Sequence, residues 1–123
     1  MYELTVRDEF SAAHQLRGYE GACEHLHGHN WKVEVAVRGR DLNSIGILID
    51  FKELKRALRE VLGELDHRNL NELPAFRELN PSSENLARYI FDRLRERLAG
   101  KPVKVYRVTV CETERACASY LED

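Results

Sequence analysis

Long apolar runs are missing from this sequence: nothing in its 123 residues approaches the roughly 20-residue stretch that a helix needs to cross a bilayer. An excess of positive charge is missing too. The net charge is −2, so no basic field points to nucleic acid as a partner. The opening Met1-Tyr2-Glu3-Leu4 lacks the basic and then apolar order of a secretory signal, and a cytoplasmic location is the expectation. Cysteine is scarce and odd in number. Cys23, Cys111 and Cys117 neither complete a disulfide framework nor follow zinc-finger spacing, so reduced thiols are expected, with Cys111 and Cys117 as packing residues. Repeats, linkers and low-complexity segments are absent. One domain over residues 1–123 remains, and 43% apolar residues supply its core.

Histidine is scarce as well, but it is concentrated. Three of the five histidines fall within Cys23-Glu24-His25-Leu26-His27-Gly28-His29-Asn30. Trp31-Lys32-Val33-Glu34-Val35-Ala36-Val37 follows, with the alternation of a half-buried strand. Steps of two back from Val33 pass through Trp31, His29 and His27, which puts both imidazoles on the core face. Such neighbours lie roughly 6.5–7 Å apart along a strand, close enough to converge on one metal ion. Zinc is the first candidate for imidazole ligands, and Gly28 would let a ligand approach closely. The bland alternative is a His-x-His pair that faces solvent at a strand start. His25 lies in the preceding loop and is left out of the metal set.

The rest of the chain reads as two strands, two helices and two strands. Tyr2, Leu4 and Val6 alternate with polar residues, and the same parity runs through Phe10 and Ala12 to His14. An unbroken first strand would bring His14 across a hairpin to His27 and His29. Three neutral nitrogen ligands with one open position describe a catalytic rather than a structural zinc. The second strand spans about His27 to Arg38. Asp50-Phe51-Lys52-Glu53 has the form of a capping box, and Leu54, Leu58, Val61, Leu62 and Leu65 follow at helical spacing. Pro74 bars a simple continuation. Ser82 caps a second helix with Leu86, Ile90, Leu94 and Leu98 as its stripe, stopped by Gly100 and Pro102. Val103 to Cys111 and Ala116 to Leu121 are the last strands, and Glu112 ends an apolar face. The expected fold is α+β: a ββααββ antiparallel sheet with two helices on one face. Its two open edges favour pairing between copies.

Phe10-Ser11-Ala12-Ala13-His14, Cys23-x-x-x-His27-Gly28-His29-Asn30, Asp50-Phe51, Leu65-Asp66-His67, Leu70-Asn71, Asn80-Pro81-Ser82-x-Glu84-Asn85 and Glu112-Thr113 occur in this order. As a set they resemble the 6-pyruvoyl-tetrahydropterin synthase / 6-carboxy-tetrahydropterin synthase family. The resemblance implies the tunnelling fold, in which three subunits close a barrel and two trimers stack into a homohexamer with shared active sites. It implies zinc on His14, His27 and His29. Cys23 is implied as the catalytic thiol, Asp66 and His67 as its partner pair from a neighbouring subunit, and Glu112 as the carboxylate that anchors the pterin. The implied substrate is 7,8-dihydroneopterin triphosphate. The three-residue gap between Cys23 and His27 resembles the bacterial 6-carboxy branch, which feeds queuosine and other deazapurines. Glu24, three residues before His27, also resembles a variant in which a glutamate is the acid/base and 6-hydroxymethyl-dihydropterin is formed for folate. A 6-pyruvoyl product is the other alternative.

Taken without the resemblance, these residues read more plainly. Asp66-His67 is an ordinary helix end, Glu112 a solvated turn residue, and Cys23 a buried thiol. A small zinc-binding module that does no chemistry would need the three histidines and none of these.

Overall fold

The computed structural model of the protein describes residues 1–22 and 24–123. Two long strands, β1 (Tyr2–His14) and β2 (His27–Gly39), pair antiparallel along their whole length. Helix α1 (Phe51–Gly63), a two-residue strand β3 (Arg68–Asn69) and helix α2 (Ser83–Arg97) follow, and the hairpin β4 (Lys104–Thr113) and β5 (Ala116–Leu121) ends the fold. The sheet order is β3-β1-β2-β4-β5. No helix among the described residues is long and apolar enough to cross a membrane.

The sheet is mixed rather than purely antiparallel. Arg68 and Asn69 run parallel to β1 opposite Ala12 and Ala13, so one end of the β1 edge is covered and the rest has no strand partner among the described residues. A two-residue strand has no alternation to read, which is why the sequence pattern shows four strands.

Both helices lie on one face. Val6, Phe10, Trp31, Val33, Val35, Val108 and Val110 pack from the sheet against Leu54, Leu58, Val61 and Leu62 of α1 and Leu86, Ile90 and Leu94 of α2. Val105 shares this core although its parity differs from that of Val108. The register of β4 against β2 shifts by one residue at Tyr106, and that bulge resets the alternation. The opposite face carries cross-strand ion pairs such as Arg7–Glu34 and Arg38–Glu3, both 2.8 Å.

Asp50 caps α1 by accepting from the Lys52 amide. The expected capping box does not close, because Glu53 instead reaches Lys101 at 2.7 Å. Ser82 caps α2 through the Asn85 amide. The cysteine reading also needs correction: Cys111 and Cys117 form a disulfide. They are directly opposed across β4 and β5, a register that spacing alone does not reveal.

The helices are tied to each other at Glu64, just past the end of α1. Its carboxylate accepts from Tyr89 Oη at 2.7 Å and from Arg93 Nη2 at 3.0 Å, both on α2. Burial pushes the Glu64 carboxyl up, but the hydrogen bonds from Arg93, Tyr89 and Arg97 outweigh it and the net shift is downward. Burial and this carboxylate together push the Tyr89 phenol up to about 12. A depressed carboxyl stabilises the fold above its ordinary titration range and loses that contribution as pH falls through the folded value. Glu64→Gln should therefore destabilise the chain by roughly 1–3 kcal/mol near neutral pH. The difference from wild type should shrink in acid, as denaturant titrations at the two pH values would show.

Candidate metal centre and its surroundings

The β1–β2 register sets His14 directly opposite His27, and Ala12 opposite His29. Opposed residues and alternate residues share a face, so all three imidazoles project from the core side of the sheet. One ring nitrogen from each lies within 4.8 Å of the others. Trp31 closes the inner wall, its ring centroid 4.8 Å from that of His14 and 5.0 Å from that of His29. The indole is wholly buried and donates to the Ala12 carbonyl at 3.1 Å.

Two of the tautomers are set by backbone carbonyls. His14 Nδ1 donates to Pro81 O and His27 Nδ1 donates to His25 O, each at 2.7 Å. The Nε2 atoms then carry lone pairs, and they face each other at 3.1 Å. Lone pairs at this distance repel unless a cation stands between them. Two nitrogens on one tetrahedral zinc lie about 3.3 Å apart, close to what is seen. Among the described residues, His29 Nε2 is buried without a hydrogen-bond partner. Burial holds the His29 imidazole below its ordinary pKa, against the upward pull of Glu112, so it is neutral at neutral pH. Three converging ring nitrogens, one of them buried and unpartnered among the described residues, fit a metal ion.

A carboxylate stands on each side of the set. Glu24 Oε1 lies 4.0 Å from His27 Nε2 and also accepts from the Leu16 amide at 3.1 Å. Glu112 Oε2 lies 3.9 Å from His29 Nε2, and the Ser83 hydroxyl donates to Glu112 Oε1 at 3.3 Å. Cys23 lies outside the described residues. Gly28 is not a steric necessity: a Cβ there would meet only the Ala12 carbonyl, at 3.8 Å.

Asp66 and His67 are placed apart from this cluster. They sit on the far edge of β1, where Ser11 N donates to Asp66 Oδ1 at 2.9 Å and His67 N donates to Ser11 O. Two strand spacings, roughly 9–10 Å, separate that edge from β2. The Ser11 amide, with His67 adding to it, holds the Asp66 carboxyl below its ordinary pKa. Asp66 Oδ2 is 3.0 Å from His67 Nδ1, which turns Nε2 outward. The His67 backbone is left-handed, with φ 58°, and its side chain is 81% exposed. An exposed imidazole held by a carboxylate through Nδ1 leaves its Nε2 open to solvent.

Several supporting residues carry no periodic or charge signal. Asn71 accepts from Gln15 N and donates to Gln15 O, and Asn80 does the same for Arg17. These amides replace the strand partner that the chain lacks just past His14. Arg17 donates to the carbonyls of Phe76, Arg77 and Leu79. That clamp anchors the segment containing Pro81, whose carbonyl orients His14. The Asn-x-x-x-x-Asn spacing of Asn80 and Asn85 was visible; its partners were not.

Known proteins share this fold and much of this sequence. The family model described as 6-pyruvoyl tetrahydropterin synthase matches residues 3–123. A protein of Archaeoglobus fulgidus, provisionally named 6-carboxy-5,6,7,8-tetrahydropterin synthase, is 40% identical over 90% of this chain and 88% of its own. The dihydroneopterin monophosphate aldolase of Pyrococcus furiosus is 41% identical over 89% of this chain and 88% of its own. The solved structure of Caenorhabditis elegans 6-pyruvoyl tetrahydropterin synthase superposes with a TM-score of 0.85 at 29% identity, covering 99% of this chain and 96% of that one.

Proposed function

This chain belongs to the 6-pyruvoyl tetrahydropterin synthase family, and on that footing we propose that it converts 7,8-dihydroneopterin triphosphate to 6-carboxy-5,6,7,8-tetrahydropterin. Acetaldehyde and triphosphate are released, in a cytoplasmic step toward queuosine and related deazapurines. The observation that carries the proposal is the set of three converging imidazoles, with two tautomers fixed by carbonyls and a carboxylate on each side. His14, His27 and His29 would hold zinc. When bound there, zinc supplies a Lewis acid that acidifies the hydroxyls of the substrate side chain.

The chain's own groups divide the remaining work. Glu112, steadied by Ser83, accepts two hydrogen bonds from the amino and ring N–H edge of the pterin. Cys23 is the base, acting as a thiolate that removes a proton from the side chain. His67, oriented by Asp66, delivers or accepts the second proton through its outward nitrogen. Its exposure supports a site completed by a neighbouring subunit. The open length of the β1 edge and the exposed Tyr2, Ile45 and Phe51 support assembly into the closed homohexamer.

A second reading has a specific observation behind it. Glu24 stands 4.0 Å from His27 Nε2, near enough to the metal set to act as acid/base. Formation of 6-hydroxymethyl-dihydropterin would then compete, in keeping with the aldolase name of the Pyrococcus relative. Product analysis by mass spectrometry separates the two. Cys23→Ala should lose the carboxy product, and any 6-hydroxymethyl-dihydropterin should vanish in Glu24→Gln. Unchanged carboxy product from Cys23→Ala would remove the thiol from the mechanism.

Glu112→Gln tests the anchor. The change keeps shape but turns an acceptor toward the pterin into a donor, at a cost of roughly 1–3 kcal/mol. Substrate affinity should fall by about one to two decades with zinc retained. Wild-type affinity, measured by calorimetry, would place the anchor elsewhere.

A further inference from the structure

The Cys111–Cys117 disulfide fastens the hairpin that carries Glu112, and we infer that its redox state sets how firmly that carboxylate is held. The inference rests on Glu112 as the pterin anchor. Across β4 and β5, Cys111 is paired with Cys117, and the next pair is Thr113 with Ala116. The ladder skips Glu112. The bulged residue is fixed by the disulfide on one side and by the Glu114-Arg115 turn on the other. Its carboxylate has one hydroxyl donor, Ser83, and lies 3.9 Å from His29.

The bond is a local fastener rather than a staple of the fold. Neither cysteine belongs to the hydrophobic core. The two are only 6 residues apart in sequence, so closing that loop removes less chain entropy than a bond across a long loop would. Reduction leaves the core and the β1–β2 histidines as they are and frees the bulge. Cys117 is exposed and Cys111 is half-buried, so an external thiol reaches Cys117 first.

The reaction is exchange with a small thiol reductant. A thiolate attacks Cys117 Sγ, the bond to Cys111 breaks, and Cys111 leaves as a thiolate that takes up a proton. A second reductant thiolate attacks the external sulfur of the mixed disulfide and releases Cys117, which is protonated in turn. The chain gains two electrons and two protons, and the reductant ends as its own disulfide. With the fastening gone, Glu112 is no longer presented in one position and the pterin edge is held more weakly.

The test uses the zinc-loaded chain, oxidised and reduced, beside a Cys111→Ser/Cys117→Ser double variant that retains Cys23. Amide hydrogen exchange over residues 111–117 and binding of 7,8-dihydroneopterin are measured for each. Reduction should speed exchange around Glu112 and weaken binding by roughly five-fold or more, with zinc content unchanged. The double variant should show the fast exchange and weak binding with or without reductant. Equal exchange in the oxidised and reduced chains would overturn the inference, and so would faster exchange with unchanged affinity. If no form of the chain binds 7,8-dihydroneopterin, the anchor assignment fails, and exchange alone decides whether the disulfide holds the bulge.

Discussion

His29→Ala should yield a folded chain with little bound zinc and no measurable pterin synthesis. Among the described residues, His29 Nε2 is a buried nitrogen with no hydrogen-bond partner. Its imidazole is kept neutral by burial and stands beside the facing Nε2 atoms of His14 and His27. Removing it takes one of three donors from the ion. Loss of a mere outer-shell partner typically costs 10–100-fold in metal affinity, and loss of a direct ligand should exceed that. The fold should survive, because the main core lies deeper, around Trp31 and the helices. His25→Ala is the matched control. His25 offers only its backbone carbonyl to His27, so its side chain can go and zinc should stay. Elemental analysis of the two proteins decides the point, and full zinc occupancy in His29→Ala would refute the ligand set.

The second large effect concerns where the site is assembled. Cys23→Ala and His67→Ala should each lose about 10²–10⁴-fold in rate, the usual range for removing a general base or acid. Co-expressed in one oligomer, the two variants should recover part of the wild-type rate. His67 sits on the far edge of β1 with its outer nitrogen exposed, whereas Cys23 precedes the strand that bears His27 and His29. A ring of subunits would bring one chain's His67 to the next chain's histidine set, and some sites would then carry neither defect. The control is a chain with both substitutions co-expressed with wild type. Absence of recovery in verified mixed oligomers would mean that each site belongs to a single chain.

The convergence of the histidines was legible because one rule carried it. Alternation that begins at buried valines runs unbroken to His14 on one strand and to His27 on the other, and a hairpin fixes the register. The helices were legible from their leucine spacing and from Asp50 and Ser82 as caps. What escaped depends on contacts between segments far apart in the chain. β3 is too short to alternate. The Asn71 and Asn80 amides and the Arg17 clamp act on backbone roughly sixty residues away along the chain. The disulfide depends on a register that the bulge at Glu112 ends, and counting residues between cysteines cannot supply it. Glu24 and Cys23 are adjacent in sequence, so no spacing rule separates the two acid/base readings.

The most direct test of zinc-dependent pterin chemistry at the three histidines is turnover by the wild-type chain. Metal-stripped and zinc-reloaded protein would each be incubated with 7,8-dihydroneopterin triphosphate and the products identified by mass spectrometry. The expected outcome is 6-carboxy-5,6,7,8-tetrahydropterin and free triphosphate from the reloaded protein and unreacted substrate from the stripped one. Unreacted substrate with zinc fully bound would contradict it and leave a metal-binding module without pterin chemistry.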